Sequence, residues 1–180
     1  MDNGASSYRR FLDGDVSAFD DIMKELFCGL VFFVDRYVHD VHIAEDIAMD
    51  VFSDLVVHRH RYNFKVTLKT YLYMLGRSRA LDYLKHRKVI DFVELSEAEH
   101  LSQDLEGIVL ADEKKLVVNS AIAKLPEDMQ TVIHLVYFEG MTYLEVAKVM
   151  KKNRKQVDNL LYRAKKELRI ILGEDGEDLL

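Results

Sequence analysis

Pro126 is the only proline in 180 residues, and only eight glycines accompany it. Proline lacks the amide donor a helix needs and glycine loosens the backbone, so a chain this poor in both has few places where a helix is forced to stop. The apolar side chains keep to the helical period. From Asp15, placed to act as an N-cap, Phe19, Ile22, Met23, Leu26, Leu30, Phe33 and Tyr37 recur three or four apart. Ile43, Ile47, Val51 and Leu55 follow four apart, with Ala48, Phe52 and Val56 beside them. The pattern breaks over 58–67, where basic, aromatic and β-branched residues mix. It resumes over about 69–87 with Tyr71, Leu72, Leu75, Leu81 and Leu84. The expected fold is all-α, and these three helices around an aromatic-rich core make a first domain over 1–90.

Residues 91–115 hold two basic and eight acidic side chains, and their apolar residues follow no long period. Such a stretch reads as a flexible acidic linker, partly disordered in the free chain. Beyond it a helix carrying Leu116, Val117, Ala121 and Ile122 ends at Leu125-Pro126, with Pro126 expected at the first position of the next helix. That helix, with Met129, Val132, Ile133 and Val136, stops at Gly140. Thr142 and Glu145 are spaced as a capping box for a short helix closing near Met150. Asn153 caps a last helix that packs Val157, Leu160, Leu161, Ala164 and Leu168 and ends before Gly173. Residues 116–173 are thus a second small domain, and 174–180 an acidic tail.

The net charge of −6 argues against a polyanionic partner until it is counted by segment, because the whole acidic excess lies in 91–115. Over 148–169 nine basic residues stand against only Asp158 and Glu167. That local excess is the footprint of phosphate binding. A short capped helix, a tight turn and a longer basic helix make a helix-turn-helix, in which small Ala147 permits a close crossing and Val157 and Leu160 lock the second helix onto the first. The polar face of the second helix carries Arg154, Lys155, Gln156, Asp158, Asn159, Tyr162 and Arg163. In a major groove, Arg reads guanine and Asn or Gln reads adenine. Lys151, Lys152, Lys165 and Lys166 are assigned to phosphates. A basic, solvated helix in any small bundle is the bland competitor.

The strings Leu125-Pro126, then 137–143 (YFEGMTY), Glu145-Val146-Ala147 and 155–165 (KQVDNLLYRAK), resemble the promoter-upstream domain of sigma-70-family factors of the extracytoplasmic-function (ECF) subgroup. Gly14-Asp15, Ala18-Phe19, 44–48 (AEDIA), Asp50-Val51-Phe52 and 77–87 (RSRALDYLKHR) are similar to the same subgroup's core-binding domain. The resemblance covers nearly the whole chain, with two motif sets in the family's order. It implies a sigma factor that binds core RNA polymerase and directs initiation at promoter DNA. Asp46, Met49, Asp50, Phe52 and Leu55 would then meet the β′ coiled coil. Arg59, Arg61, Tyr62, Phe64, Lys65, Tyr71, Arg77, Arg79, Asp82 and Lys85 would open and hold the −10 element. The last helix would read the −35 element while its domain rests on the β flap, and an anti-sigma factor would be a further partner. Unstacked bases call for aromatic faces among cations, which Tyr62, Phe64 and Tyr71 among Arg59, Arg61, Lys65 and Lys69 supply. Ordinary core packing competes with that role, for Phe64 and Tyr71 especially.

Several positions depart from the family pattern. Tyr71 stands where many members carry tryptophan, and Met49 replaces a frequent glutamine. Lys151 occupies a turn position commonly held by glycine, where an L side chain is strained. Asp158 replaces a basic or small polar residue.

Two other readings compete. His39-Asp40 suggests a metal phosphohydrolase, and Asp46, Asp50 and Asp54 share a helix face with His42, with His58 and His60 beyond. Carboxylates four apart on a surface helix ordinarily face solvent or a partner, however, and no metal, cofactor or catalytic residue is assigned. A dimeric helix-turn-helix regulator acting without core polymerase would require a palindromic operator. Cys28 is the only cysteine, so no disulfide framework is expected. The longest apolar run, 30–34, is far short of the roughly 20 residues that span a bilayer, and no signal peptide opens the chain. The expected setting is the bacterial cytoplasm, without membrane insertion.

Overall fold

The apolar stripe that runs from Ala18 to Tyr37 becomes the helix against which the first unit is built, α2 (Ser17–Val38). In the computed structural model, which describes residues 4–93 and 113–173, it packs against α1 (Ala5–Leu12), α3 (Val41–Val57) and α4 (Leu68–Val93). Ile22, Leu30, Phe33 and Val34 are wholly buried along it. The α2 and α4 backbones meet closely at Gly76, where an added Cβ would lie 2.8 Å from Leu30 Cδ1 and 3.3 Å from Val34 Cγ2. Glycine is required there by space, since its backbone is ordinary helix.

His39-Asp40 is a stop-and-start signal. His39 ends α2 in the left-handed region (φ 52°), its N–H donating to Asp35 O at 2.8 Å. Asp40 caps α3, its Oδ1 accepting from the N–H groups of His42 (3.0 Å) and Ile43 (3.2 Å). The pair that suggested a metal site is thus spent on the backbone. Asp15 is not the N-cap expected of it: Val16 holds that position, and Asp15 lies one residue earlier, where Ser17 Oγ donates to it at 2.6 Å. Hydrogen bonds from Ser17 and Arg10 hold its carboxyl below the usual carboxylate range.

Two further features of the first unit differ from what the sequence predicts. The first is α1, whose eight residues are too few to register as a periodic segment. Tyr8 anchors it, fully buried, with its hydroxyl 2.9 Å from Leu55 O and 3.2 Å from Arg59 O. The second is the length of α4, which continues to Val93, because neither glycine nor proline stops it after Arg87. The expected linker and the 174–180 tail otherwise fall almost wholly outside the described residues.

The second unit holds α5 (Glu113–Ala123), α6 (Glu127–Ile133), α7 (Tyr143–Val149) and α8 (Arg154–Leu172). Pro126 is the N-cap of α6 (φ −55°, ψ 145°), one position earlier than expected. Its carbonyl accepts from Met129 and Gln130, while Gln130 Nε2 donates to Leu125 O at 2.7 Å and ties α6 to the end of α5. α6 then widens into a π turn over His134–Phe138, closed by Glu139 N–H on His134 O at 3.1 Å, before Gly140 (φ 63°) ends it. The buried stripe of α8 is Val157, Leu161, Ala164 and Leu168. It packs chiefly on α6 and α5, with Leu160 half-buried, so the expected lock onto the preceding helix is the lesser contact. No strand occurs among the described residues.

Burial pushes the Tyr8 phenol up to about 12. Stability from keeping it neutral is complete below its ordinary value near 10 and is lost as pH rises through about 12. Tyr8→Phe is expected to cost about 1 kcal/mol at neutral pH and to flatten the alkaline fall in stability, measured by urea unfolding across pH. Gly76→Val is expected to destabilise by about 2–3 kcal/mol in the same assay, because Leu30 and Val34 have no empty space to enter.

Candidate nucleic-acid interface

Two reciprocal caps set the start of α7 and of α8. Thr142 N–H donates to Glu145 Oε2 at 2.9 Å and Glu145 N–H to Thr142 Oγ1 at 3.4 Å. Asn153 and Gln156 repeat the three-residue spacing of Thr142 and Glu145. Gln156 N–H donates to Asn153 Oδ1 and Asn153 N–H to Gln156 Oε1, both at 2.8 Å. The second box had been legible only as an Asn153 cap. Its consequence is that the Gln156 amide oxygen holds the helix start, leaving the amide N–H groups to reach outward.

Between the caps, Lys151 takes the left-handed conformation (φ 53°) that its place in the turn demands. Lys152 N–H then donates back to Ala147 O at 2.9 Å. Arg154, Lys155, Gln156, Asp158, Asn159, Tyr162 and Arg163 are all exposed, Tyr162 by 72%. Arg154, Lys155 and Asp158 line a shallow concavity with Tyr143 of α7. The four lysines assigned to phosphates divide. Lys151 and Lys166 stand exposed. Lys152 Nζ pairs with Asp128 Oδ2 at 3.0 Å, and Lys165 Nζ lies 5.3 Å from the centroid of the Tyr137 ring. Lys165 belongs to the edge of the buried seam because it follows Leu161 by four residues, the helical repeat.

The π turn creates a feature the sequence reading missed. Tyr137 and Phe138 are 55% and 59% exposed, and with Val118, Ile122, Ile133 and Lys165 they line an apolar groove of about 250 Å³. His134 stacks on Phe138 at 5.6 Å, and its Nε2 is 3.2 Å from Glu139 Oε1. Two adjacent aromatics just before a helix-ending glycine were the available signal.

In the first unit, α3 presents Asp46, Met49 and Asp50 to the outside, Met49 by 49%. Phe52 and Leu55 are 1% and 2% exposed, so their assignment to a partner surface is corrected. They lie on the opposite arc of the helix, with Ala48 and Val51, and fill the core.

The loop after α3 begins with a 3₁₀ turn (Arg59–Arg61). Tyr62 is 4% exposed, its hydroxyl donating to Val66 O at 2.7 Å, and its ring is packed by Tyr8, Phe64 and Tyr71 at 5.5, 4.6 and 5.2 Å. It supports the half-buried Phe64 and Tyr71 rather than offering its own face, the reverse of the expectation that those two would be the core residues. Phe64 is held left-handed (φ 60°), with Arg9 4.9 Å from its ring centroid. Arg59 lies over Phe11 at 4.7 Å, while Lys65 is exposed.

On α4, Arg77 approaches Tyr37 of α2 at 6.0 Å, on a different side from Arg79, which pairs with Asp54 and with Asp50 (3.5 Å) of α3. Asp82 and Lys85 pair with each other at 3.3 Å in solvent. Asp54 also receives His58 Nδ1 at 3.0 Å and Arg61 Nη1 at 3.9 Å. Among the described residues no group of three or more His, Cys, Asp or Glu side chains could hold a metal ion, and no helix is long and apolar enough to cross a membrane.

Residues 29–89 match the family described as Sigma-70 region 2, and residues 115–168 the family described as Sigma-70, region 4. The chain is 29% identical over 168 residues to the RNA polymerase sigma-H factor of Pseudomonas aeruginosa, covering 86% of each. It is 23% identical over 169 residues to the ECF RNA polymerase sigma factor SigM of Bacillus subtilis, covering 88% of this chain and 98% of that one. The fold is similar to that of the Bartonella quintana sigma factor RpoE solved with the anti-sigma factor NepR, with a TM-score of 0.63, 19% identity, and 87% of this chain and 98% of that one covered. It is also similar to CnrH solved with the cytosolic domain of CnrY, with a TM-score of 0.62, 17% identity and 94% of each covered. A basic helix-turn-helix in one unit and a cation-ringed aromatic cluster in the other thus lie within two regions of one family, and the chain belongs to the sigma-70 family, in its ECF subgroup. It is a sigma factor that directs promoter-specific transcription; sigma factors are not enzymes.

Lys151→Gly relieves the left-handed strain and is expected to stabilise by about 0.5–1 kcal/mol, net of the entropy glycine adds to the unfolded chain. The shift in urea midpoint measures it.

Proposed function

We propose a division of labour between the two units, the domains expected at 1–90 and 116–173. The exposed face of α8 reads the −35 element, and the observation that carries this is the clean separation of its buried stripe from seven exposed polar residues. Arg154, Lys155 and Asn159 approach base edges, Gln156, Asp158, Tyr162 and Arg163 complete the face, and Lys151 and Lys166 take phosphates. The groove beside Tyr137 and Phe138 supplies an apolar seat for the β flap of core polymerase. Asp46, Met49 and Asp50 form the surface for the β′ coiled coil.

The loop after α3 and the outer face of α4 hold the −10 element. Phe64 and Tyr71 are the accessible aromatics of this face, and Arg59, Arg61, Lys65, Arg79, Asp82 and Lys85 are its charged residues. Tyr62 and Arg77 act from beneath, through packing. An anti-sigma protein is the proposed antagonist, by analogy with the solved relatives, and the site of action is the bacterial cytoplasm.

Reconstitution with purified core polymerase on a randomised promoter library tests this reading. Arg154→Ala and Asn159→Ala are each expected to weaken upstream-element use by about 1–3 kcal/mol per lost base contact, with altered sequence preference. Lys166→Ala is expected to weaken all promoters alike and to reduce the salt slope by about one. Equal effects of all three on every promoter, or a homodimer that binds a palindrome without core, would refute it.

A further inference from the structure

Asp54 belongs to neither proposed surface, although four charged or titratable groups converge around it. His58 meets its Oδ1 at 3.0 Å, and Arg61 and Arg79 both meet its Oδ2, Arg61 at 3.9 Å. The second terminal nitrogen of Arg79 reaches Asp50 at 3.5 Å, on the outward arc of α3. Tyr71 lies within electrostatic reach of Arg61, Asp54 and Arg79 together.

The order of these groups from core to solvent limits what the carboxylate does. The Asp54 and Arg79 side chains are 23% and 29% exposed, whereas that of Arg61 is 61% exposed. The acid therefore sits behind the cation that meets solvent. Two guanidiniums brought to one place repel each other, and a half-buried one is costly to leave unpaired. A carboxylate with two oxygens and about four acceptor positions satisfies both and still leaves the outer layer cationic.

We propose that Asp54 is a positioning residue for strand binding, holding Arg61 of the loop and Arg79 of α4 beside Tyr71 so that the two cations face a phosphate of the unpaired strand. The contact lies 25 residues apart in sequence between Asp54 and Arg79, so it also fastens the loop-bearing end of α3 to α4. This inference rests on the assignment of that face to the −10 element, and the test separates the two.

Holoenzyme is assembled from core polymerase and full-length variants, and binding is measured to a single-stranded oligonucleotide carrying the downstream element selected from the promoter library. Asp54→Asn is expected to weaken that binding about tenfold while core affinity stays unchanged. Asp54→Glu is expected to restore most of the loss. In a chain already carrying Arg61→Ala and Arg79→Ala, Asp54→Asn is expected to add less than about a twofold change, because its effect passes through those arginines.

Unchanged or tighter binding by Asp54→Asn, alongside weakened Arg61→Ala and Arg79→Ala, overturns the positioning role and leaves the strand-binding face standing. Parallel loss of core and DNA affinity in Asp54→Asn overturns it too, as the mark of a purely structural contact. If neither arginine substitution affects the oligonucleotide, the assignment of the face itself falls.

Discussion

The first unit depends on how closely α4 can approach α2. At Gly76 the helices meet without a side chain between them, under Leu30 and Val34, and this contact sets the rotation of both helices about their axes. Once α2 is committed to the core by Leu30, Phe33 and Val34, α3 can bury only one arc, and Ala44, Ala48, Val51, Phe52 and Leu55 fill it. The remaining arc, with Asp46, Met49 and Asp50, is left outside. A partner surface thus arises as the complement of a packing solution, and its residues are those the core does not use.

The second unit uses a different device. Its reading helix is aimed by the capping boxes at Thr142 and Asn153, which satisfy backbone donors at the start of both helices and bracket the left-handed Lys151. A turn this short allows little slack, so the caps and the stripe of α8 together determine which side chains face outward. Charge is then divided by geometry. Lys152 and Lys165 are drawn to Asp128 and to the Tyr137 ring, leaving Lys151, Lys166 and the arginines of α8 at the surface. The local positive excess that marks the segment is therefore larger than the charge available to a phosphate backbone.

Helix positions, the caps at Thr142 and Asn153, the terminator at Gly140 and the basic character of α8 were all legible in the chain, because each depends on residues within one or two turns of one another. The α1 helix was not. Its stability comes from Tyr8 reaching Leu55 and Arg59, a contact spanning about half of the first unit, and eight residues have too little intrinsic helicity to declare themselves. The π turn escaped for a related reason: one extra residue in a helix shifts the register without altering the composition, and only the outward turn of Tyr137 and Phe138 reveals it.

An all-helical chain, the capped helices of its second unit and the place where its positive charge is concentrated follow from the sequence, since helical period and capping are short-range properties of the backbone. Tertiary structure alone decided the phase of each helix and the partner of each charge. Phe52 and Leu55 went inward, Tyr62 went beneath Phe64 and Tyr71, and Arg79 went to Asp54, because burial and ion pairing are settled between elements distant in sequence.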